Sequence, residues 1–178
     1  MRTYILLLLF TINANAQQLT LNTNSSSIEW TGKAAFNAYT LTGTLEAESG
    51  TITMNNTTIE SLIVTINMKS LDHENKDLKK HLRSKDFFEV NTYQTAVFTL
   101  TEPAKITNGK VVLKGSMTIK DVSHEELISA SFNGSELTFE HTMDRTIYNV
   151  KFNSPSIFKK LKENAIADAF ILKGSLKF

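Results

Sequence analysis

Residues 68–100 read MKSLDHENKDLKKHLRSKDFFEVNTYQTAVFTL, the one segment of this chain with a clear helical pattern. Leu71, Leu78 and Leu82 fall on one face at helical spacing, while Glu74, Asp77, Lys79, Lys80 and Arg83 cover the rest. The acids lie toward its start and the bases toward its end, the arrangement the helix dipole favours. Ser84-Lys85-Asp86-Phe87-Phe88 then delivers two adjacent aromatics before a strand pattern resumes at Thr95. The pattern on both sides is alternating. The segment therefore predicts a β protein with one helical excursion near residues 72–88, placed to cover or close something.

Upstream, Ile28, Trp30, Ala34 and Phe36 alternate with polar residues, and Leu41, Gly43, Leu45 and Ala47 continue the alternation up to a turn signal at Ser49-Gly50. Asn55-Asn56 is a second turn signal, and Thr58 to Met68 carries Leu62, Val64, Ile66 and Met68 on one face. Downstream, Asn108-Gly109 is a hairpin signal leading into Val111, Leu113, Gly115, Met117 and Ile119. Further alternating sets run through Ile128 to Phe132, Leu137 to Met143, Tyr148 to Phe152 and Phe170 to Phe178. Eight or nine short strands with even turn spacing predict an antiparallel sandwich or barrel. Glycines 32, 43, 115 and 174 interrupt strands as they do at barrel bends and close backbone approaches, which favours an all-β, eight-stranded, closed barrel.

The first residues read differently. Met1-Arg2-Thr3 is a short positive start, Tyr4 to Ile12 is nearly all apolar, and Ala14-Asn15-Ala16 offers small residues for cleavage. This predicts a signal peptide over 1–16, a polar lead-in over 17–27 and one domain over 28–178. The apolar run is too short for a hydrocarbon layer of about 30 Å. The expectation is an exported protein, periplasmic in a Gram-negative host and otherwise extracellular. Leaving out Arg2, the 19 basic residues become 18 against 18 acids, so nothing points to nucleic acid. With no cysteine, disulfides, thiolate metal sites and a Cys nucleophile are excluded.

Several of these segments, taken in order, resemble one family. Asn67-Met68-Lys69-Ser70-Leu71-Asp72 followed by His81-Leu82-Arg83-Ser84-Lys85-Asp86-Phe87-Phe88 is similar to the central signature of the YceI-like polyisoprenoid-binding family. Ile28 to Lys33 resembles its first strand, Leu113 to Lys120 its Gly-x-Leu-Thr-Ile-x motif, and Asp144-Arg145 and Ile166-Ala167-Asp168 its later motifs. Three positions depart from the family pattern. Gln94 stands for a proline, Leu78-Lys79 for an Arg-Asp pair, and Asp121 for a glycine.

The resemblance implies a lipocalin-like barrel holding a long isoprenoid chain, a polyprenyl phosphate or a quinone tail, for transport, storage or sequestration. The candidate lining is Trp30, Phe36, Leu62, Leu82, Phe87, Phe88, Phe98, Met117, Phe139 and Phe170. Such a carrier is expected to be a monomer or homodimer without cofactor, touching membranes transiently to exchange ligand. The same residues fit a filled core equally well, which would make the domain an interaction or structural module. A third reading is a metal-dependent enzyme through His73 and His81, which recur with Asp77 every four residues. No nucleophile elbow or phosphate-cradling loop accompanies them. Asp144-Arg145 reads as an ion pair at the barrel end or as an anchor for a headgroup.

Overall fold

The computed structural model describes residues 16–34, 39–158 and 165–178. The signal-peptide reading for 1–16 therefore falls outside the described residues except at Ala16, and Phe36 lies outside them as well. Ten strands run through the described residues: β1 (Gln17–Thr20), β2 (Ser27–Lys33), β3 (Thr40–Asn55), β4 (Thr58–Asp72), β5 (Thr95–Leu100), β6 (Ala104–Lys105), β7 (Lys110–Ile119), β8 (Val122–Phe132), β9 (Glu136–Asp144) and β10 (Ala169–Lys177). One α-helix, α1 (Lys76–Arg83), interrupts them between β4 and β5. The hydrogen-bonded order β3-β2-β10-β9-β8-β7-β5-β4 closes on itself through β3–β4, giving an eight-stranded antiparallel barrel. Closure removes the open edges that a sheet of this size would otherwise expose.

Alternation builds the wall. Along β7, Val111, Leu113, Gly115, Met117 and Ile119 are buried while the residues between them face outward or sit part-exposed. The hairpin ends follow their turn chemistry. Asn56 takes φ +54°, Asn108-Gly109 take +51° and +72°, and Lys120-Asp121 take +51° and +57° between the paired Ile119 and Val122. Consecutive left-handed residues give a turn whose twist matches that of the strands.

Two local readings are corrected. Ser49-Gly50 is no turn: β3 passes straight through it, with register irregularities between Thr44 and Glu46 and between Ala47 and Ser49. Gly50 is buried there, where a Cβ would lie 3.2 Å from Leu21 and 3.1 Å from the Ile63 carbonyl oxygen. Leu71 belongs to β4 and not to the helix, which starts only at Lys76 after Asn75 caps it by accepting from the Asp77 and Leu78 amides. The lead-in over 17–27 is itself structured. It forms β1, antiparallel to β3, and a 3-10 turn over Thr23–Ser25.

The barrel interior divides into two halves. One is packed solid by Ile28, Leu62, Val64, Phe98, Leu113, Ile128, Leu137, Phe139 and Leu176, leaving a void of about 40 Å³. Glycines on the inner wall allow this. Gly174 lies opposite Phe139, and Gly115 lies one diagonal step from Phe98; a Cβ on either would sit 2.5–2.6 Å from ring carbons. The rings therefore lie against bare backbone and fill the barrel from wall to wall. Gly43 does the same for Trp30, its partner on β2, with a Cβ there 2.5 Å from the indole.

Beside the packed half, β8 and β9 pair only over Ala130–Phe132 and Leu137–Phe139. Where the ladder ends, side chains bridge the strands. His141 Nε2 lies 2.9 Å from Glu126 Oε2, and the fully buried Tyr148 donates its hydroxyl to Glu126 Oε1 at 2.6 Å. Burial, and then the Glu126 carboxylate, push the Tyr148 hydroxyl well above the usual phenol range, so it remains a donor.

Candidate ligand cavity

The other half of the barrel is open inside. A cavity of about 370 Å³ lies between the strand ends, α1, and the segment following β9. Its wall is mostly apolar: Leu41 and Leu45 from β3, Ile66, Met68 and Leu71 from β4, Ala96 from β5, Met117 and Ile119 from β7, and Phe170 and Leu172 from β10. The excursion supplies the cover. Leu78, His81 and Leu82 of α1, with Phe87 and Phe88 behind it, close the end of the barrel.

Specific bonds hold that cover down. Arg83 Nη2 donates to the Lys69 carbonyl at 2.7 Å, and Lys120 Nζ donates to the Phe87 carbonyl at 2.8 Å. Phe87 is nearly fully buried under a ring cluster, with His81 at 5.4 Å, Phe88 at 5.8 Å and Phe152 at 5.9 Å between centroids. The Lys79–Asp72 contact at 2.8 Å is exposed and adds little to stability, although Lys79 holds the Asp72 carboxyl below its usual range.

Arg145 is the one cation buried in the cavity wall among the described residues, at 3% exposure. Its guanidinium donates to the carbonyls of Ala167 (3.0 Å), Val150 (2.7 Å) and Ile166 (2.9 Å), and stands 5.4 Å over the Phe87 ring. Its carboxylate neighbour is Asp168, at 3.8 Å, not Asp144, which instead caps a 3-10 turn over Arg145–Tyr148. The expected Asp144-Arg145 pair is corrected accordingly. Burial lowers the Arg145 pKa from its ordinary value. For Asp168 burial acts upward, but hydrogen bonds from Ser154 and Ser156 and the charge of Arg145 outweigh it and hold the carboxyl below its usual range. Arg145 thus fastens the loop carrying Ala165 to Ala167 onto the barrel.

One polar atom in the wall has no partner. The Trp30 Nε1–H is buried and makes no hydrogen bond, an omission that costs about 1–3 kcal/mol for such a group.

Of the ten residues the sequence singles out, Trp30, Leu82, Phe87, Phe88, Met117 and Phe170 line the cavity. Leu62, Phe98 and Phe139 sit in the packed half, and Phe36 lies outside the described residues. Leu45, Ile66 and Leu172 were not singled out although they carry the same alternation. The alternating set over Tyr148 to Phe152 is corrected: Tyr148 ends a 3-10 turn and Phe152 lies in irregular chain beyond it, yet its ring still reaches the cavity. Ile166 comes from irregular chain, where no periodicity marks a residue as inward. His73 and His81 do not converge. His73 Nδ1 accepts from the Asn75 amide at 2.9 Å and its ring lies 5.8 Å from Trp30, whereas His81 packs on Phe152 at 4.6 Å. Among the described residues no three His, Asp or Glu side chains are grouped to hold a metal. The departure at Leu78-Lys79 places an apolar side chain against the cavity and a lysine against Asp72.

An eight-stranded antiparallel barrel, half filled and half hollow beneath a helical cover, defines a lipocalin-like architecture. The model of the YceI-like domain matches residues 19–178, and the chain belongs to that family. Among curated relatives, a UPF0312 protein of Vibrio cholerae is 34% identical over 80 residues, covering 45% of this chain and 42% of that protein. One from Vibrio vulnificus is 28% identical over 125 residues, covering 68% and 66%. The chain thus spans less than half the length of the first of these. Among solved structures, BcnA of Burkholderia cenocepacia superposes with a TM-score of 0.69 at 21% identity, over 88% of this chain and 98% of that one. A polyisoprenoid binding domain from Saccharophagus degradans gives 0.61 at 10% identity, over 88% and 95%. At such identities the likeness establishes the shared fold.

Proposed function

We propose that this protein is an exported carrier whose barrel holds the apolar chain of an isoprenoid lipid, a polyprenyl phosphate or a quinone. The observation that carries the reading is the covered, apolar cavity of about 370 Å³, within the usual size of small-ligand sites. The Saccharophagus degradans neighbour, described as a polyisoprenoid binding domain, supports the choice of ligand class. Each methylene moved from water into such a wall contributes about 0.8 kcal/mol. Tyr39, Ile157 and Phe158 are 56%, 42% and 50% exposed, and Tyr39 lines the cavity itself. These side chains suit brief contact with a bilayer during exchange. On this reading the domain binds and releases without performing chemistry.

Native mass spectrometry and solvent extraction of protein purified from its own host test the proposal. A stoichiometric isoprenoid is expected. Protein that carries none, and takes none up from vesicles loaded with a polyprenyl phosphate or a quinone, would overturn it.

A further inference from the structure

We infer that the cavity is a length gauge for the chain it holds, with Ile66, Met117 and Leu172 as its stop. The inference deepens the carrier reading and rests on it.

These three residues line the hollow and also the roof of the small void in the packed half. They come from β4, β7 and β10, from different parts of the wall, and all are buried. They form the layer that separates the two chambers. Behind that layer Phe98 and Phe139 lie against Gly115 and Gly174, and only about 40 Å³ remains free. A chain entering under the cover therefore meets a wall after 370 Å³. The hollow has a finite depth, so only a limited length of chain fits between the cover and that layer.

Carbons beyond that limit must stay outside the apolar wall, where they gain little. The stop has one soft member. Ile66 and Leu172 are branched and stiff, whereas Met117 is an unbranched thioether that adapts to fill gaps. Removing its outer three heavy atoms and joining the void behind it frees room for roughly one further isoprene unit. Met117 is thus a specificity-determining residue for chain length, and a larger side chain there shortens the hollow.

The test is a binding series with prenyl alcohols of two to eight isoprene units, read by native mass spectrometry and by emission of Trp30, the single tryptophan. Wild-type affinity should rise at least ~10-fold per added unit and then level off before the eighth, as the buried area stops growing. In Met117→Ala the plateau moves out by about one unit, and in Met117→Phe it moves back by about one. Leu172→Ala provides an independent lengthening of the hollow should either Met117 variant fail to fold. Affinity that keeps climbing to eight units in the wild type, or a plateau unmoved in every folded variant, overturns the gauge and leaves the carrier standing. Failure of every alcohol in the series to bind removes the carrier reading and the gauge together.

Discussion

Gly174 and Phe139 face each other across the β9–β10 pair, and the ring lies so close over the glycine that a Cβ would sit 2.6 Å from its Cζ. Gly115 stands in the same relation to Phe98. Gly174→Ala and Gly115→Ala should each destabilise by about 1–3 kcal/mol, the usual cost of forcing a ring from a packed site. Urea unfolding measures this. Gly43→Ala should cost at least as much, because the intruding methyl meets the Asp72 carbonyl oxygen, which is backbone and cannot swing aside, as well as the indole.

Asp121 occupies a left-handed position, φ +57°, in the β7–β8 turn, where the family pattern has glycine. A non-glycine residue pays about 1–2 kcal/mol there, partly offset by the ~0.5–1 kcal/mol of backbone freedom that glycine loses on folding. Asp121→Gly should stabilise by about 0.5–1 kcal/mol, seen as a higher urea midpoint at unchanged slope. Lys120 must be kept, since it bonds the Phe87 carbonyl.

Arg145→Met removes the donor for three carbonyls and leaves Asp168 without its cation. A loss of about 3–5 kcal/mol is expected. Arg145→Lys should not rescue it, because an ammonium cannot present the fork that reaches Val150, Ile166 and Ala167 together.

The Asp168 carboxyl titrates lower in the fold than in the unfolded chain. Its contribution is therefore full above the ordinary carboxylate range and drains away as pH falls through the folded value. Asp168→Asn should be less stable than wild type at pH 7, and the two melting curves should converge as the pH falls below about 4. A gap that persists unchanged into acid would show that the charge is not the cause.

The barrel was readable from alternation because inward residues recur every second position on every strand of its wall. The excursion was readable from one short amphipathic turn. Leu71 goes with the helix on sequence spacing, seven positions before Leu78. What places it in β4 is a strand irregularity: Asn67 pairs with Glu46 and Asp72 with Thr44, so the alternation that holds up to Met68 is broken before Leu71 turns inward. Gly50 reads as a turn signal because its true constraint, Leu21 packing on it, comes from the residue just after β1, which sequence spacing does not connect to it. Which aromatics line the hollow was the harder question. Trp30, Phe98 and Phe139 carry the same alternation, and their fates differ by which glycine the neighbouring strand sets beside them and how far each lies from the cover. That is information about register, and register is made by pairing across the sheet.

The division of the barrel also bears on what emptying it would do. The solid half, with its interlocked rings and glycines, is packed without any contribution from what the hollow contains. On the carrier reading, a vacant molecule keeps its architecture, and a chain bound in the hollow adds stability because it binds only the folded state. The two halves can also diverge separately. On the carrier reading, substitutions around Met117 would retune what enters while the packed rings on the far side of that layer stay unchanged.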